Sequence, residues 1–245
     1  MRQRLKRFVR RHPQIFNPIW PAVYPVISTG GGEIGSSYDD NFPAFSKIYA
    51  DNLWEDAESR SGPGSTLAST TSLRRDLAML LVKMNVKTFF DAPCGDFNWM
   101  SYVSFPEAMH YIGADLVPDL VAALTTKYGD RAGHDFRVID IVLDAVPSAD
   151  LWLCRDVLAH LPNADGLAVL RNFVGSDIPY LLTTTCDFVA VNRDTRPGGF
   201  RYINLRRQPF GLGKPRIRIW DFIAPRPPRY LGLWSRDDVK AALPV

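Results

Sequence analysis

The spacing of hydrophobic residues changes near residue 86 of this 245-residue chain. Before that point apolar residues recur every three or four positions, as Leu73 and Leu77 do, and this spacing predicts helices over 41–54 and 72–84. Beyond it, short apolar runs alternate with helical segments, which is typical of a parallel sheet covered on both faces. We therefore predict an α/β fold: a Rossmann-like, doubly wound and mostly parallel sheet with an N-terminal helical cap.

The same pattern gives the order of the elements. Strands are predicted at 88–92, 111–114, 136–139, 151–154, 180–185, 217–223 and 230–234, and the later helices at 118–128, at 165–173 and from Asp237. We divide the chain into an extension (1–40), a helical cap (41–85) and a Rossmann-like core (86–245). In the extension we expect a short helix and then irregular chain, because prolines and glycines accumulate there: Pro18, Pro21, Pro25, Gly30, Gly31 and Gly32.

Polar residues follow the first core strand, at the edge of a parallel sheet where ligands bind. The run from Asp91 to Trp99 contains Gly95, which removes a side chain where a ligand must approach the backbone, and Asp91 suits a cationic amino group. A plain tight turn also explains such a glycine. The second strand ends at Asp115, twenty residues after Gly95, where an acid accepts hydrogen bonds from ribose hydroxyls or caps the next helix.

The turn itself favours S-adenosylmethionine over NAD. A dinucleotide needs several glycines so that its pyrophosphate can lie on a helix N-terminus. Here Pro93 and the segment 96–98 occupy those positions, and the Asp96 carboxylate would repel a pyrophosphate. After the third strand, Asp140 and Ile141 offer a polar and an apolar contact for an adenine, or are simply a solvated strand end.

The fourth strand leads into a run of ionisable residues, Arg155, Asp156 and His160, at the centre of the sheet. Desolvating such groups is costly, so their accumulation indicates a functional site. Alternatively Arg155 pairs with Asp156, and His160 caps a turn.

These segments resemble class I methyltransferases, and more closely a bacterial group of them linked to surface-polysaccharide biosynthesis. The resemblance runs from about residue 45 to 210, and its most specific parts are DAPCGDFNWM (91–100) and CRDVLAHL (154–161). It also includes IYADNLW, SGPGS, YIGADLVPDLV and INLRRQPF. It implies that Asp91, Gly95 and Asp115 bind the cofactor, S-adenosylmethionine, and that the run after the fourth strand faces cofactor and acceptor. We assign neighbouring positions to the cofactor as well: Pro93, Leu116, Asp140, Ile141 and Cys154.

The expected reaction is O-methylation of a sugar or another small polar acceptor. A hydroxyl acceptor must lose a proton, and Asp156 and His160 are both candidates for the base, four residues apart. Arg155 is expected to bind an acceptor phosphate or carboxylate. The alternatives are a module that binds S-adenosylmethionine without turnover and, less favoured by the turn, an NAD-dependent oxidoreductase.

The distribution of charged residues limits the kinds of partner that we expect. Residues 1–11 contain six of the 29 Lys and Arg and no acid, which leaves 23 basic against 26 acidic residues elsewhere, a net charge of −3. We therefore expect no nucleic-acid partner, and weak contact with anionic membrane through residues 1–12, where Leu5, Phe8 and Val9 share a helical face.

The lack of recognisable targeting segments and the pattern of cysteines predict a cytoplasmic protein. The chain has no apolar run near the eighteen residues of a membrane span and no signal-peptide core after its basic start. The three cysteines, Cys94, Cys154 and Cys186, form no CxxC pair and no metal-ligand spacing, so we expect a reducing compartment and no metal.

Overall fold

A computed structural model of the chain describes residues 8–9, 12–27 and 36–243. Within these ranges seven strands form one sheet: β1 (Thr88–Asp91), β2 (His110–Asp115), β3 (His134–Val138), β4 (Leu151–Cys154), β5 (Tyr180–Thr185), β6 (Ile217–Trp220) and β7 (Tyr230–Ser235). Their order is β3-β2-β1-β4-β5-β7-β6. The first five pair in parallel, whereas β7 runs antiparallel to both β5 and β6. The predicted Rossmann-like, mostly parallel sheet is confirmed.

The strand order reverses beside β1, which lies between β2 and β4. The connection from β1 runs outward to β2 and β3, and the chain then returns to place β4 on the other side of β1. At such a switch point the connecting loops diverge, and a crevice opens beyond the carboxyl ends of the strands.

Helices cover both faces of the sheet. The described helices are α1 (Pro13–Phe16), α2 (Trp20–Ile27), α3 (Asn41–Asp51), α4 (Thr71–Lys83), α5 (Pro118–Tyr128), α6 (Asn163–Gly175) and α7 (Arg236–Ala242). No helix in the described part of the chain is long and apolar enough to cross a membrane.

Adjacent phenylalanines in β1 show how the two layers of the core form. Successive strand residues point to opposite faces, so Phe89 packs in the cluster that contains Leu77 of α4, and Phe90 in the cluster that contains Phe173 of α6. Both rings are fully buried. Apolar residues therefore occupy the interior of the strand, and its charged residue, Asp91, comes at the carboxyl end.

Three predicted boundaries were wrong for identifiable reasons. The helix expected over 41–54 ends at Asp51 because Asn52 adopts a left-handed backbone, with φ 49°. The edge strand β3 begins two residues earlier than its apolar pattern, since Phe136 is the one buried residue in it. The strand expected over 217–223 ends at Trp220, because Asp221 turns away to pair with Arg155.

The extension contains more regular structure than expected. Helix α2 occupies part of the proline-containing segment that we predicted to be irregular, and Pro21 falls in its first turn, where no backbone N–H donor is needed. The helix is stabilised by packing, since Trp20 and Tyr24 are buried against Phe222 and Ala224. Gly30, Gly31 and Gly32 lie outside the described residues.

Candidate active site

One cavity of about 500 Å³ opens at the carboxyl ends of β1, β2 and β4. Its wall also includes the loop 61–65 before α4, here called the cap loop, and the segment 221–229 before β7, here called the wall segment. The site residues predicted from the sequence that line it are Asp91, Pro93, Gly95, Asp115, Leu116, Asp140, Ile141, Arg155, Asp156 and His160. Cys154 does not line it, because its side chain is fully buried in the core.

Gly95 is required by the cap loop. Its φ is 56°, in the left-handed region, and a Cβ atom built there would lie 2.3 Å from the Ser61 hydroxyl. We expected the missing side chain to admit a ligand to the backbone. The structure shows instead that it admits Ser61, which joins the cap loop to the β1 turn.

Asp96 has a structural role in the same joint. Its carboxylate accepts hydrogen bonds from the Ser59 hydroxyl (2.9 Å) and the Arg60 backbone N–H (2.8 Å), while its own N–H donates to the Ser61 hydroxyl (2.8 Å). This carboxylate, which we expected to act through repulsion of a pyrophosphate, therefore anchors the loop that covers the cavity.

Asp91 is a buried acid at the end of β1, with 2% of its surface exposed. Burial raises the pKa of Asp91 to about 7, although the hydrogen bond from the Tyr111 hydroxyl (2.7 Å) and the charge of Arg155 act in the opposite direction. A carboxylate in this position is poorly solvated. A cationic ligand group in the cavity would therefore stabilise its ionised form.

Asp115 is likewise buried at the end of β2, and burial raises the pKa of Asp115 to about 6. Its carboxylate accepts the backbone N–H groups of Gly95 (3.1 Å) and Val117 (3.2 Å). Helix α5 has no side-chain cap, so Asp115 does not cap it. The acid links the β1 and β2 turns instead.

Asp140 and Ile141 complete the far side of the cavity. They follow β3, and Ile141 is buried while Asp140 is half-buried. The Asp140 carboxylate accepts the Val142 backbone N–H (2.8 Å), and burial raises the pKa of Asp140. The wall thus offers one polar and one apolar contact next to each other.

Four charged side chains form a closed ring beside the cavity. Arg155 donates to both oxygens of Asp221 (2.9 and 3.1 Å), and Arg229 lies 3.3 Å from the same carboxylate. Arg229 also contacts Asp156 at 2.7 Å, and Asp156 lies 3.7 Å from Arg155. The charges alternate, so each ion has two opposite neighbours, and Arg155 and Asp221 are the buried members.

Arg155 is the centre of this arrangement. Beyond Asp221, its guanidinium donates to the Gly64 carbonyl (2.8 Å) and packs over the Trp99 ring at 5.1 Å. Its donors are thus directed at the cap loop and the wall segment. These contacts favour a structural role for Arg155 over the predicted binding of an acceptor phosphate or carboxylate.

Asp156 is a poor general base in this structure. Burial alone would raise its pKa, but the nearby guanidinium groups of Arg229 and Arg155 outweigh burial, and the pKa of Asp156 lies below its usual value. Its backbone adopts φ 61° and donates its N–H to the Thr184 hydroxyl (2.9 Å). The two guanidinium groups therefore favour the ionised form of Asp156.

His160 has the properties that Asp156 lacks. Its Nδ1 lies 2.6 Å from the Gly199 carbonyl, which can only accept, so Nδ1 carries the proton and Nε2 is free to accept one. Burial lowers the pKa of His160, which keeps the ring neutral. Within the described residues no hydrogen-bond partner contacts Nε2. The Gly199 carbonyl is therefore the partner that orients the His160 ring.

Arg201 fixes the turn that carries His160. This buried guanidinium donates to the carbonyls of Leu158 (3.1 Å), Ala159 (3.2 Å) and Leu161 (2.8 Å), on both sides of the histidine. Among the described residues no carboxylate lies within ion-pair distance of it. Its charge is therefore balanced by backbone dipoles of the histidine turn.

Sequence reasoning missed Asp221, Arg229 and Arg201. They lie far from their partners in the chain; Asp221, for example, is 66 residues after Arg155. The only available signal was the presence of three charged residues, Asp221, Arg226 and Arg229, in a proline-rich stretch, and it indicated no partner.

We compared the chain with known proteins to find which of them share this architecture. No protein-family model matches the sequence, and no curated protein matches it. Among solved structures, the chain is similar to magnesium protoporphyrin IX methyltransferase from Synechocystis PCC 6803 with bound SAM, at 14% identity and a TM-score of 0.57, over 82% of this chain and 99% of that one.

Two further structures agree. The N-methyltransferase NodS from Bradyrhizobium japonicum WM9, in complex with S-adenosyl-L-homocysteine, has a TM-score of 0.51 at 12% identity, over 80% of this chain and 98% of that one. The methyltransferase domain of bacterial CtHen1 has a TM-score of 0.51 at 14% identity, over 68% and 98%. The chain therefore has the fold of class I methyltransferases.

The joint between Gly95 and Ser61 can be tested by a double-mutant cycle. Gly95→Ala should destabilise the protein by more than the roughly 1–2 kcal/mol of a left-handed alanine, because its Cβ also meets the Ser61 hydroxyl. In a Ser61→Ala background the cost should be smaller. Urea unfolding of the four proteins measures both costs, and equal costs in the two backgrounds would show that Gly95 does not accommodate Ser61.

A second prediction concerns the buried acid of β1. Burial raises the pKa of Asp91 from 3.8 to about 7, so its contribution to stability is complete below about pH 4 and is lost as the pH rises to 7. Asp91→Asn remains neutral and still accepts the Tyr111 hydroxyl. We expect it to exceed wild type by a few kcal/mol in free energy of unfolding at pH 8, without ligand.

That difference should shrink by about 1.4 kcal/mol for each pH unit below 7. Urea unfolding at pH 5 and pH 8 measures it, and the exposed Asp130→Asn provides a control without a pH-dependent gain. An Asp91→Asn protein less stable than wild type at pH 8 would contradict the burial argument.

Proposed function

We propose that this protein is an S-adenosylmethionine-dependent methyltransferase that methylates a hydroxyl of a sugar or another small polar acceptor. The observation that carries the proposal is the pair of buried acids, Asp91 and Asp115, at the ends of adjacent strands in a single cavity of this fold. Both have raised pKa values in the absence of a ligand.

The donor set fits this cofactor. A volume of about 500 Å³ lies within the range of about 300–1,000 Å³ that is typical of ligand pockets. Asp91 would hold the cationic amino group, Asp115 would accept hydrogen bonds from the ribose hydroxyls, and Asp140 with Ile141 would contact the adenine. Each assignment pairs a ligand group with a side chain of complementary chemistry.

The β1 turn argues against NAD. A pyrophosphate needs free backbone N–H groups, but several N–H groups of this turn already donate within the protein. Those of Cys94, Gly95, Asp96 and Asn98 donate to the Ala114 carbonyl, the Asp115 carboxylate, the Ser61 hydroxyl and the Asp96 carboxylate, respectively. The turn thus lacks the anion cradle of a dinucleotide site.

The chain contributes a base and a rigid frame to the reaction. When bound, the cofactor supplies an electrophilic methyl group on its sulfonium. His160 Nε2 takes the proton from the acceptor hydroxyl, and the Gly199 carbonyl stabilises the imidazolium through Nδ1. Arg201 holds the histidine turn so that this nitrogen keeps its position. Orienting the reactants then supplies much of the remaining rate enhancement.

Aromatic rings around His160 support a sugar acceptor. Trp54 and Phe200 flank the imidazole at 5.3 Å each, and Tyr202 lies 5.0 Å from Phe200. All three rings line the cavity. Such rings offer apolar faces to the C–H surfaces of a sugar, while Nε2 receives its hydroxyl proton. The link to polysaccharide biosynthesis is part of this proposal.

We also place the reaction in the cytoplasm. Cys94, Cys154 and Cys186 are free and buried, which suits a reducing compartment.

Calorimetric titration tests the cofactor assignment. S-adenosylmethionine and S-adenosylhomocysteine should bind, whereas NAD should not. Asp115→Ala should weaken both by at least tenfold, because it removes the ribose acceptor. Asp135→Ala, which changes an acid of β3 outside the cavity, is a matched control that should bind normally. Binding of NAD alone would refute the proposal.

The base is tested by turnover, measured as release of S-adenosylhomocysteine with a panel of sugar and glycan acceptors. His160→Gln should lower the turnover number by roughly a hundredfold and leave cofactor affinity unchanged. Arg201→Lys should give a smaller loss in turnover number with little change in KM, since a lysine cannot reach all three carbonyls. If His160→Gln keeps near-normal turnover, His160 is not the base.

Asp156→Asn provides the contrast. It leaves Arg229 without one of its two carboxylates, so it should lower the unfolding temperature. Its pH–rate profile should keep the shape of the wild-type profile, whereas that of His160→Gln should change because the base is lost. A shift of the pH–rate profile in Asp156→Asn as large as that in His160→Gln would assign the proton transfer to both residues acting together.

A further inference from the structure

The N-terminal extension packs against the wall segment of the cavity. Trp20 and Tyr24 of helix α2 are buried in a cluster with Phe222 and Ala224 of that segment. Phe222 also lines the cavity, so this side chain connects the extension to the candidate active site. Part of the extension thus belongs to the structure that surrounds the cavity.

The same cluster bears on the segment 1–12, for which we predict contact with anionic membrane. Val9 is buried in the cluster, so it does not share a membrane-facing side with the exposed Phe8. Leu5 and the six basic residues of this segment lie outside the described residues. The membrane contact therefore stays a prediction.

Two hydrogen bonds fix the wall segment to the extension. The Trp20 indole N–H donates to the Arg226 carbonyl (2.8 Å), and the Ala224 N–H donates to Asn17 Oδ1 (2.9 Å). In the wall segment both partners are backbone groups, so the two bonds hold the course of its chain. These bonds matter because the segment lies between β6 and β7 and belongs to neither strand.

A row of rings gives the extension a second connection to the cavity. Neighbouring ring centroids in this row lie 5.0–5.3 Å apart, in the order Tyr24, Phe188, Tyr202, Phe200 and His160. The last three rings line the cavity. Helix α2 therefore supports the rings that we assign to the acceptor, as well as the wall segment.

We call the part of the cavity next to the proposed base, His160, the acceptor half. Burial is the main cause of the lowered pKa of His160, and the nearby charge of Arg229 in the wall segment contributes to it. The acids assigned to the cofactor, Asp91 and Asp115, end β1 and β2. Within the described part of the chain, no hydrogen bond or ring contact joins residues 12–27 to the turns after those strands.

We propose that Asn17 and Trp20 are positioning residues for the methyl acceptor. Neither side chain lines the cavity, but both hold the wall segment in the shape that receives the acceptor. Without their bonds the acceptor has to order this segment when it binds, and that ordering lowers affinity. The inference rests on the proposed function, because the acceptor half is defined by the proposed base.

Hydrogen–deuterium exchange of the full-length protein, without ligand, tests the structural step. Asn17→Ala should raise the exchange rate over residues 221–226 at least tenfold, because the Ala224 N–H loses its acceptor and the segment opens more often. Exchange over residues 91–99 should not change. Asn17→Asp keeps an oxygen acceptor at the same position and should restore the wild-type rate.

Steady-state kinetics test the functional step, with an acceptor from the panel that wild type methylates. Asn17→Ala and Trp20→Phe should raise the KM for the acceptor at least fivefold and leave the turnover number within twofold, since the histidine turn is held by Arg201. Calorimetry should show an unchanged affinity for S-adenosylhomocysteine. Asn17→Asp should restore the KM.

Trp234→Phe is the matched control. It removes a comparable bond, from a buried indole N–H to the Gly213 carbonyl (3.0 Å), at a residue that does not line the cavity. A loss of stability alone would therefore affect Trp234→Phe and Trp20→Phe alike. Only Trp20→Phe should change the acceptor KM.

Three outcomes overturn the proposal. The first is wild-type exchange over 221–226 in folded Asn17→Ala, which decides the question even if no acceptor in the panel reacts. The second is an unchanged acceptor KM in both variants, or an equal rise in Trp234→Phe. The third is a loss of S-adenosylhomocysteine affinity as large as the rise in acceptor KM. If wild type itself does not bind S-adenosylhomocysteine, the methyltransferase assignment fails instead.

Discussion

The pairing of Arg155 with Asp221 is the interaction on which the candidate site depends. It connects the end of β4 to the wall segment, and the same guanidinium reaches the Gly64 carbonyl of the cap loop. Three walls of the cavity therefore meet at one side chain. Losing one partner of such a pair would leave an uncompensated buried charge, which costs about 3–5 kcal/mol. The alternating neighbours Asp156 and Arg229 keep the pair balanced.

The local sequence pattern was sufficient to predict the fold, because a few residues in each core strand show the pattern of a buried parallel sheet. Phe89 and Phe90 face opposite layers, and β4 is entirely buried, so continuous apolar runs mark both strands. The acids that follow β1 and β2 were found for the same reason, since a sheet of this kind gathers its strand ends at one edge. Where the burial signal is weak, as at the edge strand β3, the predicted boundary was wrong.

The roles within the site were harder to predict because they depend on pairings between distant residues. Nothing near Arg155 in the sequence indicates that Asp221 neutralises it, so its charge was interpreted as a ligand-binding group. The choice between Asp156 and His160 also depended on such pairings. Arg229 holds Asp156 as an anion, and Gly199 fixes the proton of His160 on Nδ1. A single sequence specifies residue types at strand ends, but not these partners.

The protein neutralises some of the charged groups in the site and leaves others without a counter-ion. This difference separates the groups that hold the structure from those that would bind a ligand. The four-charge ring is balanced within the protein, and its members fix loops. Asp91 and Asp115 are buried without a cationic partner at hydrogen-bond distance among the described residues, and burial raises the pKa of each. Such groups cost stability that the free protein does not recover. A ligand with a positive charge and hydroxyl donors would recover it, so the uncompensated acids support the proposed position of the cofactor more directly than the compensated arginines do.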